Sequence, residues 1–225
     1  MGLVGWFRWG WRGPPSDRID RRPLVLVDAG HGGVDGGTQG FGVLEKRVAL
    51  ATARAAADAL RRRGVRAVLT RETDVALTLE ERVAMANDRG AAAFVSVHFN
   101  FSTASAAVRG VEVYYSDPKD LSAEVAVASL LGAPVGDAAV AAASIALADA
   151  IRTAIVRHAD TPDRGTRNRP DLAVTRRTRC PAVLVECGYL SNPEDAARAA
   201  TPAWQQQLAA GLAEGVAAWL AGGSR

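Results

Sequence analysis

The sequence predicts an α/β domain, a mostly parallel sheet covered by helices on both faces. Three observations predict it. Short apolar runs alternate along the chain with longer stretches of helical periodicity. The first run, Leu24-Val25-Leu26-Val27, is apolar at every position, which suits a central strand buried on both sides. It ends abruptly in the turn Asp28-Ala29-Gly30-His31-Gly32-Gly33, and open α/β sheets bind their ligands in loops at that edge. The 225 residues suffice for one domain with a sizeable core, and a 48% apolar content argues against disorder.

Charge and cysteine content exclude little. The formal charge is +3. A basic balance favours anionic partners such as nucleic acid or an acidic cell-wall polymer. Here the arginines are scattered over the helical stretches with no dense basic run, so a nucleic-acid partner is not indicated. No stretch reaches the length of a transmembrane helix. Cys187 lies seven residues beyond Cys180. An extended run of that length spans about 23 Å, whereas a disulfide needs Cα atoms within roughly 7 Å. The two are not expected to pair.

Taken in order, residues 1–22 form a leader rich in Gly, Pro and Arg, with Trp6, Trp9 and Trp11 among them. It lacks the continuous apolar core of a signal peptide and is expected to be flexible. Residues 45–63 read as a helix. Arg47, Arg54, Asp58 and Arg61 share one stripe, with Ala49, Ala53, Ala56 and Leu60 opposite, and Gly64 stops it. Residues 65–69 form a second strand, followed by the polar loop 70–74. Thr78 and Glu81 make a capping box that opens a helix running to about Arg89, closed by Gly90. Residues 91–98 and 111–115 are the third and fourth strands.

The stretch 116–143 is alanine-rich and broken by Gly132, Pro134 and Gly136, and reads as an inserted helix and loop. Residues 145–158 form a longer helix with Leu147, Ala148, Ile151 and Ile155 inward. A loop rich in Arg, Pro and Asp then precedes short strands around 172–174 and 182–186. Pro193 and Pro202 sit in the first turns of two last helices. Trp204, Leu208, Leu212 and Trp219 give the second of these its apolar face. No internal repeat is visible.

Polar residues recur where strands end and helices begin. His31 follows the first strand between glycines that allow close approach. Glu45 opens the first helix, His98 closes the third strand, and Glu186 closes the last. In a parallel sheet these ends lie along one edge, so the four side chains are expected to converge. Two imidazoles and one carboxylate are the ligand set of a catalytic zinc with an open position for water. Zinc brings the pKa of that water to about 7. A second carboxylate can take its proton and return it to a leaving amine. Each residue also has a plainer reading. A strand-end histidine is commonly a hydrogen-bonded structural residue, and an acid is favoured at any helix N-terminus. Glu186 resists that reading, because a charge after four apolar strand residues is costly to bury unpaired.

The chain resembles the zinc-dependent, AmiC-like N-acetylmuramoyl-L-alanine amidase family. The resemblance rests on Val27-Asp28-Ala29-Gly30-His31-Gly32-Gly33, Leu44-Glu45-Lys46, Leu69-Thr70-Arg71-Glu72-Thr73-Asp74 and Leu79-Glu80-Glu81-Arg82. It continues through Ala86-Asn87, Phe94-Val95-Ser96-Val97-His98-Phe99-Asn100 and the run from Pro181 to Pro193. It covers residues 24 to about 220, so the catalytic domain is drawn at 23–222. It implies a single domain with a roughly six-stranded, mostly parallel sheet between helices. It implies one zinc ion held by His31, Glu45 and His98, with Glu186 as catalytic acid/base. The reaction implied is hydrolysis of the amide between the lactyl group of N-acetylmuramic acid and L-alanine of the peptidoglycan stem. Arg71 and Asn100 match motif positions near the site and are expected either to contact substrate or to support the structure.

Departures from the family pattern are Cys187, Tyr189 and Leu172, none of which removes a site residue. In some relatives a helix inserted after the fourth strand blocks the metal until an activator protein displaces it. Residues 116–143 occupy the comparable position, and Glu124 is the acid that would reach the metal; the plainer reading is a surface helix with a solvated acid. Peptidoglycan as substrate implies a cell-envelope location, periplasmic or extracellular, though no export signal is legible. Two alternatives stay open: a catalytically silent or autoinhibited peptidoglycan-binding module, and a zinc peptidase acting on stem peptides.

Overall fold

The computed structural model describes residues 20, 22–117 and 137–223. Most of the predicted leader, and most of the predicted insertion with Glu124, lie outside the described residues. The centre is a six-stranded sheet. Its strands are β1 (Leu24–Ala29), β4 (Arg66–Leu69), β5 (Ala93–Asn100), β6 (Val111–Tyr115), β7 (Asp163–Asn168) and β8 (Ala182–Tyr189). Their spatial order is β4-β1-β5-β8-β6-β7. All neighbours run parallel except β6, which is antiparallel to β8. A separate hairpin pairs β2 (Gln39–Gly40) with β3 (Val43–Leu44).

Alternation along the strands divides the sheet into two faces. Val25, Val27, Val95, Val97, Val183 and Val185 point to the larger core. Three long helices cover them: α1 (Glu45–Arg62), α3 (Ala138–Ala159) and α6 (Pro202–Gly222). Leu26, Phe94, Ala182 and Leu184 point the other way, against the ten-residue α2 (Leu79–Asp88) and the four-residue α4 (Ala173–Arg176). A further short helix, α5 (Pro193–Ala199), follows β8. Among the described residues, short helices cover only the N-terminal half of this second face. Farther along it the strands carry Asp28, Ser96, His98, Glu112 and Glu186, and this half holds the site.

Local chemistry sets the helix starts. The α2 capping box is formed in both directions: Thr78 Oγ1 accepts from Glu81 N, and Glu81 Oε2 accepts from Thr78 N. Asn192 and Thr201 cap α5 and α6, each with proline in the first turn.

The structure corrects four expectations. The helix expected at 145–158 begins at Ala138, capped by Asp137, so the end of the predicted insertion is already helical. The strand expected around 172–174 is the short helix α4. The sixth strand is instead β7, within the stretch expected to be loop. Its sequence, Asp-Arg-Gly-Thr-Arg-Asn, has no apolar alternation; as an edge strand it needs only one backbone ladder, to β6. Strands β5 and β8 also run past His98 and Glu186, which therefore lie within strands rather than at their ends. Cys180 and Cys187 are buried and unpaired, as expected.

Candidate active site

The site begins as a row across the sheet. His98 on β5 is in register with Glu186 on β8, and Glu186 with Glu112 on β6. The row continues past β1 to Gly30, whose N–H donates to Val97 O at 3.1 Å. A Cβ at Gly30 would lie 2.3 Å from His98 Cε1, so only glycine leaves room for the imidazole.

His31 stands over this row from the loop after β1, with a left-handed φ of 58°. A conformation uncommon for a side-chain-bearing residue needs support, and two arginines supply it. Arg82 donates to Ala29 O and His31 O, each at 2.7 Å, and to Asp28 Oδ1 at 2.6 Å. Asp28 is 1% exposed and also accepts from Thr70 and Ser96, each at 2.6 Å. Arg71, 3% exposed, donates to the carbonyls of Ala29, Gly30, Lys46 and Thr73. Lys46 Nζ donates to Gly33 O and pairs with Asp74.

Glu45, at the first position of α1, lies between the two histidines. Its Oε2 is 3.1 Å from His31 Nε2 and accepts from Thr38 N at 2.8 Å. Its Oε1 is 2.9 Å from His98 Nδ1 and accepts from Phe99 N at 3.0 Å. Asp35 Oδ2 lies 2.8 Å from His31 Nδ1 on the opposite edge of that ring. One ligand atom each from His31, Glu45 and His98 lie within 4.8 Å of one another. Two imidazoles and a carboxylate gathered this closely fit a zinc ion.

Electrostatics follow from burial and these neighbours. Burial alone would raise Glu45, but the two histidines outweigh it and hold its carboxyl well below the usual range. Burial alone would lower His31; Glu45 and Asp35 overcome it and raise the imidazole. Glu186 is pushed well above the ordinary carboxylate range by burial first, then by the charges of Glu45 and Glu112. Its Oε2 is buried with no hydrogen-bond partner among the described residues.

Beside the cluster a cleft of about 410 Å³ opens between the start of α2 and the start of α4. Leu77, Leu79, Leu172 and Val174 line its walls, with Leu184 and His98 at its floor.

The structure thus gathers His31, Glu45 and His98 and sets Glu186 beside them. Asn100 is half-buried, donates to Tyr114 Oη at 3.1 Å, and accepts from Phe101 N. Arg71 lies behind the loop, with its donors directed to backbone carbonyls. The sequence reading did not single out Glu112, which is 2% exposed and accepts from the hydroxyls of Tyr114 and Tyr189 at 3.0 and 2.6 Å. It carries the signal that marked Glu186, a lone acid among strand valines. Asp28 and Arg82 stand within motifs without an assigned role, because what each does depends on partners distant in sequence; Asp35 lies outside the motifs, and its place beside His31 depends on the fold of that loop.

A mostly parallel sheet that carries on one face a His-Glu-His cluster and, beside it, a glutamate with one buried, unpartnered oxygen defines a hydrolase of the α/β class. The N-acetylmuramoyl-L-alanine amidase family matches residues 25–218, and the chain belongs to that family. Among relatives, it is 35% identical over 192 residues to the uncharacterized protein YqiI of Bacillus subtilis, covering 85% of this chain and 82% of that one. It is 31% identical to the amidase AmiC of Neisseria meningitidis, covering 90% of this chain and 54% of that longer protein. Among solved structures, the amidase AmiC2 of Nostoc punctiforme superimposes with a TM-score of 0.75 at 36% identity, covering 88% of this chain and 97% of that one. The catalytic domain of the amidase CwlV from Paenibacillus polymyxa gives 0.74 at 33% identity, covering 88% and 98%.

Proposed function

We propose that the chain cleaves the amide between the lactyl group of N-acetylmuramic acid and L-alanine of the peptidoglycan stem, using one zinc ion. His31 Nε2, His98 Nδ1 and a carboxylate oxygen of Glu45 would hold the ion. When bound, zinc supplies an acidified water and polarises the scissile carbonyl. Asp35 fixes His31 by its Nδ1 edge and leaves Nε2 for the ion. Glu186 takes a proton from the attacking water at Oε2, its unpartnered oxygen, and delivers it to the departing alanine nitrogen. Arg71 and Arg82 brace the loop that carries His31, and Arg71 is read as a brace rather than a substrate contact. Because peptidoglycan lies outside the cytoplasmic membrane, the site of action is the cell envelope.

The observation that carries this reading is the approach of three ligand atoms within 4.8 Å of one another beside a carboxylate with an orphaned oxygen. Digestion of purified peptidoglycan tests it. The expected products are intact stem peptides with free alanine amino termini and glycan chains with free lactyl carboxyls, identified by mass spectrometry. A chelator should stop their release and added zinc should restore it. Cleavage within the peptide, with the lactyl amide intact, would make the chain a peptidase instead.

A further inference from the structure

Edge strand β7 carries a feature the mechanism leaves unused. Val111 pairs with Asp163 and Val113 with Thr166, so two steps along β6 match three along β7. The extra residue is a bulge at Arg164-Gly165, with Gly165 at a φ of 85° and its N–H donating to Asp163 Oδ1. In a regular strand, residues three apart point to opposite faces. The bulge brings Arg164 and Arg167 to the same face, the one that carries Glu112, Glu186 and His98.

Both arginines are held in place. Arg164 Nε donates to Tyr189 Oη at 3.2 Å, and its guanidinium lies over the Tyr189 ring, 5.1 Å from the centroid. The Tyr189 hydroxyl also donates to Glu112 on β6, so the Arg164 head reaches inward from the edge toward the strand next to that of Glu186. Arg167 is 56% exposed at its side chain and pairs with Glu112. Arg164 has no carboxylate partner among the described residues. A cation fixed by stacking, with donors left over, is preorganised for an anion.

The chemistry of the site sets the direction. Glu186 returns its proton to the alanine nitrogen, so the peptide departs from the Glu186 side of the cluster, toward β6 and β7. The opposite side is the cleft walled by leucines, where Arg82 is already paired with buried Asp28 and the other charged lining residues are the acids Asp35 and Asp171. Strands stand about 4.8 Å apart and an extended chain advances roughly 3.5 Å per residue. The residue after alanine therefore comes within reach of the Arg164 head.

We propose that Arg164, with Arg167 beside it, binds the free carboxylate of the second stem residue and makes the enzyme prefer acidic stems over amidated ones. This rests on the amidase reading above.

The test pairs two synthetic muramoyl dipeptides, L-alanyl-D-glutamate and its α-amide, L-alanyl-D-isoglutamine. The wild type should favour the acid in kcat/KM, mainly through KM. Arg164→Gln should reduce that preference about tenfold or more, and Arg164→Lys should restore part of it. Both variants should keep the wild-type melting temperature. Equal turnover of the two substrates by the wild type, or an equal loss on both in Arg164→Gln, overturns the proposal. Should the wild type hydrolyse neither, the amidase reading fails, and the subsite is read from binding of L-alanyl-D-glutamate by calorimetry. Binding weakened by amidation and by Arg164→Gln supports it; indifference to both, or no binding, overturns it.

Discussion

Asp35 Oδ2 and His31 Nδ1 stand 2.8 Å apart, four residues from each other in one loop. A carboxylate on the far edge of a ligating imidazole fixes its rotation and tautomer and increases its basicity. Asp35 is 62% exposed at its side chain, and its other oxygen accepts from Gly37 N within the same loop, so its contacts stay local to the site.

Asp35→Ala should therefore weaken zinc binding about 10- to 100-fold while leaving the unfolding transition near that of the wild type. Competition with a calibrated chelator measures the first and a denaturant titration the second. Unchanged zinc affinity would separate Asp35 from the ligand set.

Asp28 is the counterpart inside the sheet. It compensates Arg82, and the pair is almost wholly buried. Removing one member leaves the other charged without a partner, and such losses cost about 3–5 kcal/mol. Asp28→Ala should lower the denaturation midpoint accordingly. The same substitution should weaken zinc binding, since Arg82 also holds the carbonyl of His31.

Gly30→Ala separates metal binding from folding in another way. The added methyl would lie 2.3 Å from the His98 ring, a distance no real contact tolerates. The imidazole must swing out of the cluster. Zinc stoichiometry after dialysis should fall well below one per chain, with the far-ultraviolet spectrum unchanged.

How much of this could be read from sequence follows from the range of each signal. The buried run of β1, the Thr78–Glu81 capping box and the prolines opening α5 and α6 are local, and each appears where the sequence puts it. The shared edge of parallel strands led to the expectation that His31, Glu45, His98 and Glu186 converge, and the structure brings them together, although His98 and Glu186 lie within their strands and Glu45 opens a helix. Strand β7 was not legible, because its residues are polar with no apolar alternation and it takes its ladder from β6. Nor was the bracing of the His31 loop by Arg71 and Arg82, which lie about forty and fifty residues farther along the chain. Helix periodicity gave Arg82 a place on α2 but not its partner on β1.

The two thiols give a check on the core. Burial pushes Cys180 up to about 12 and Cys187 higher still, with the charges of Glu186 and Glu45 adding to the latter. Thiolate is the reactive form. Iodoacetamide at mildly alkaline pH should leave both unmodified in the native protein and alkylate both in guanidinium, as counted by mass spectrometry.

Glu186 couples the site to pH. Burial, with the negative charges of Glu45 and Glu112, raises its folded-state pKa above that of the unfolded chain. Between those two values the folded protein binds more protons than the unfolded one, so stability falls as pH rises through that window. Below the window the carboxyl is neutral in both states and the penalty is absent. Glu186→Gln keeps the shape and removes the ionisation. In the metal-free protein it should therefore melt higher than the wild type at neutral pH, and the gap should close as pH is lowered toward the ordinary carboxylate range. Zinc should still bind, because Glu186 is not one of the three clustered ligands. Turnover should drop by about 10²- to 10⁴-fold, the usual contribution of a positioned acid/base. A variant that loses turnover but melts no higher at neutral pH would show that Glu186 ionises without penalty in the fold. Undiminished turnover would move the proton transfer to another residue.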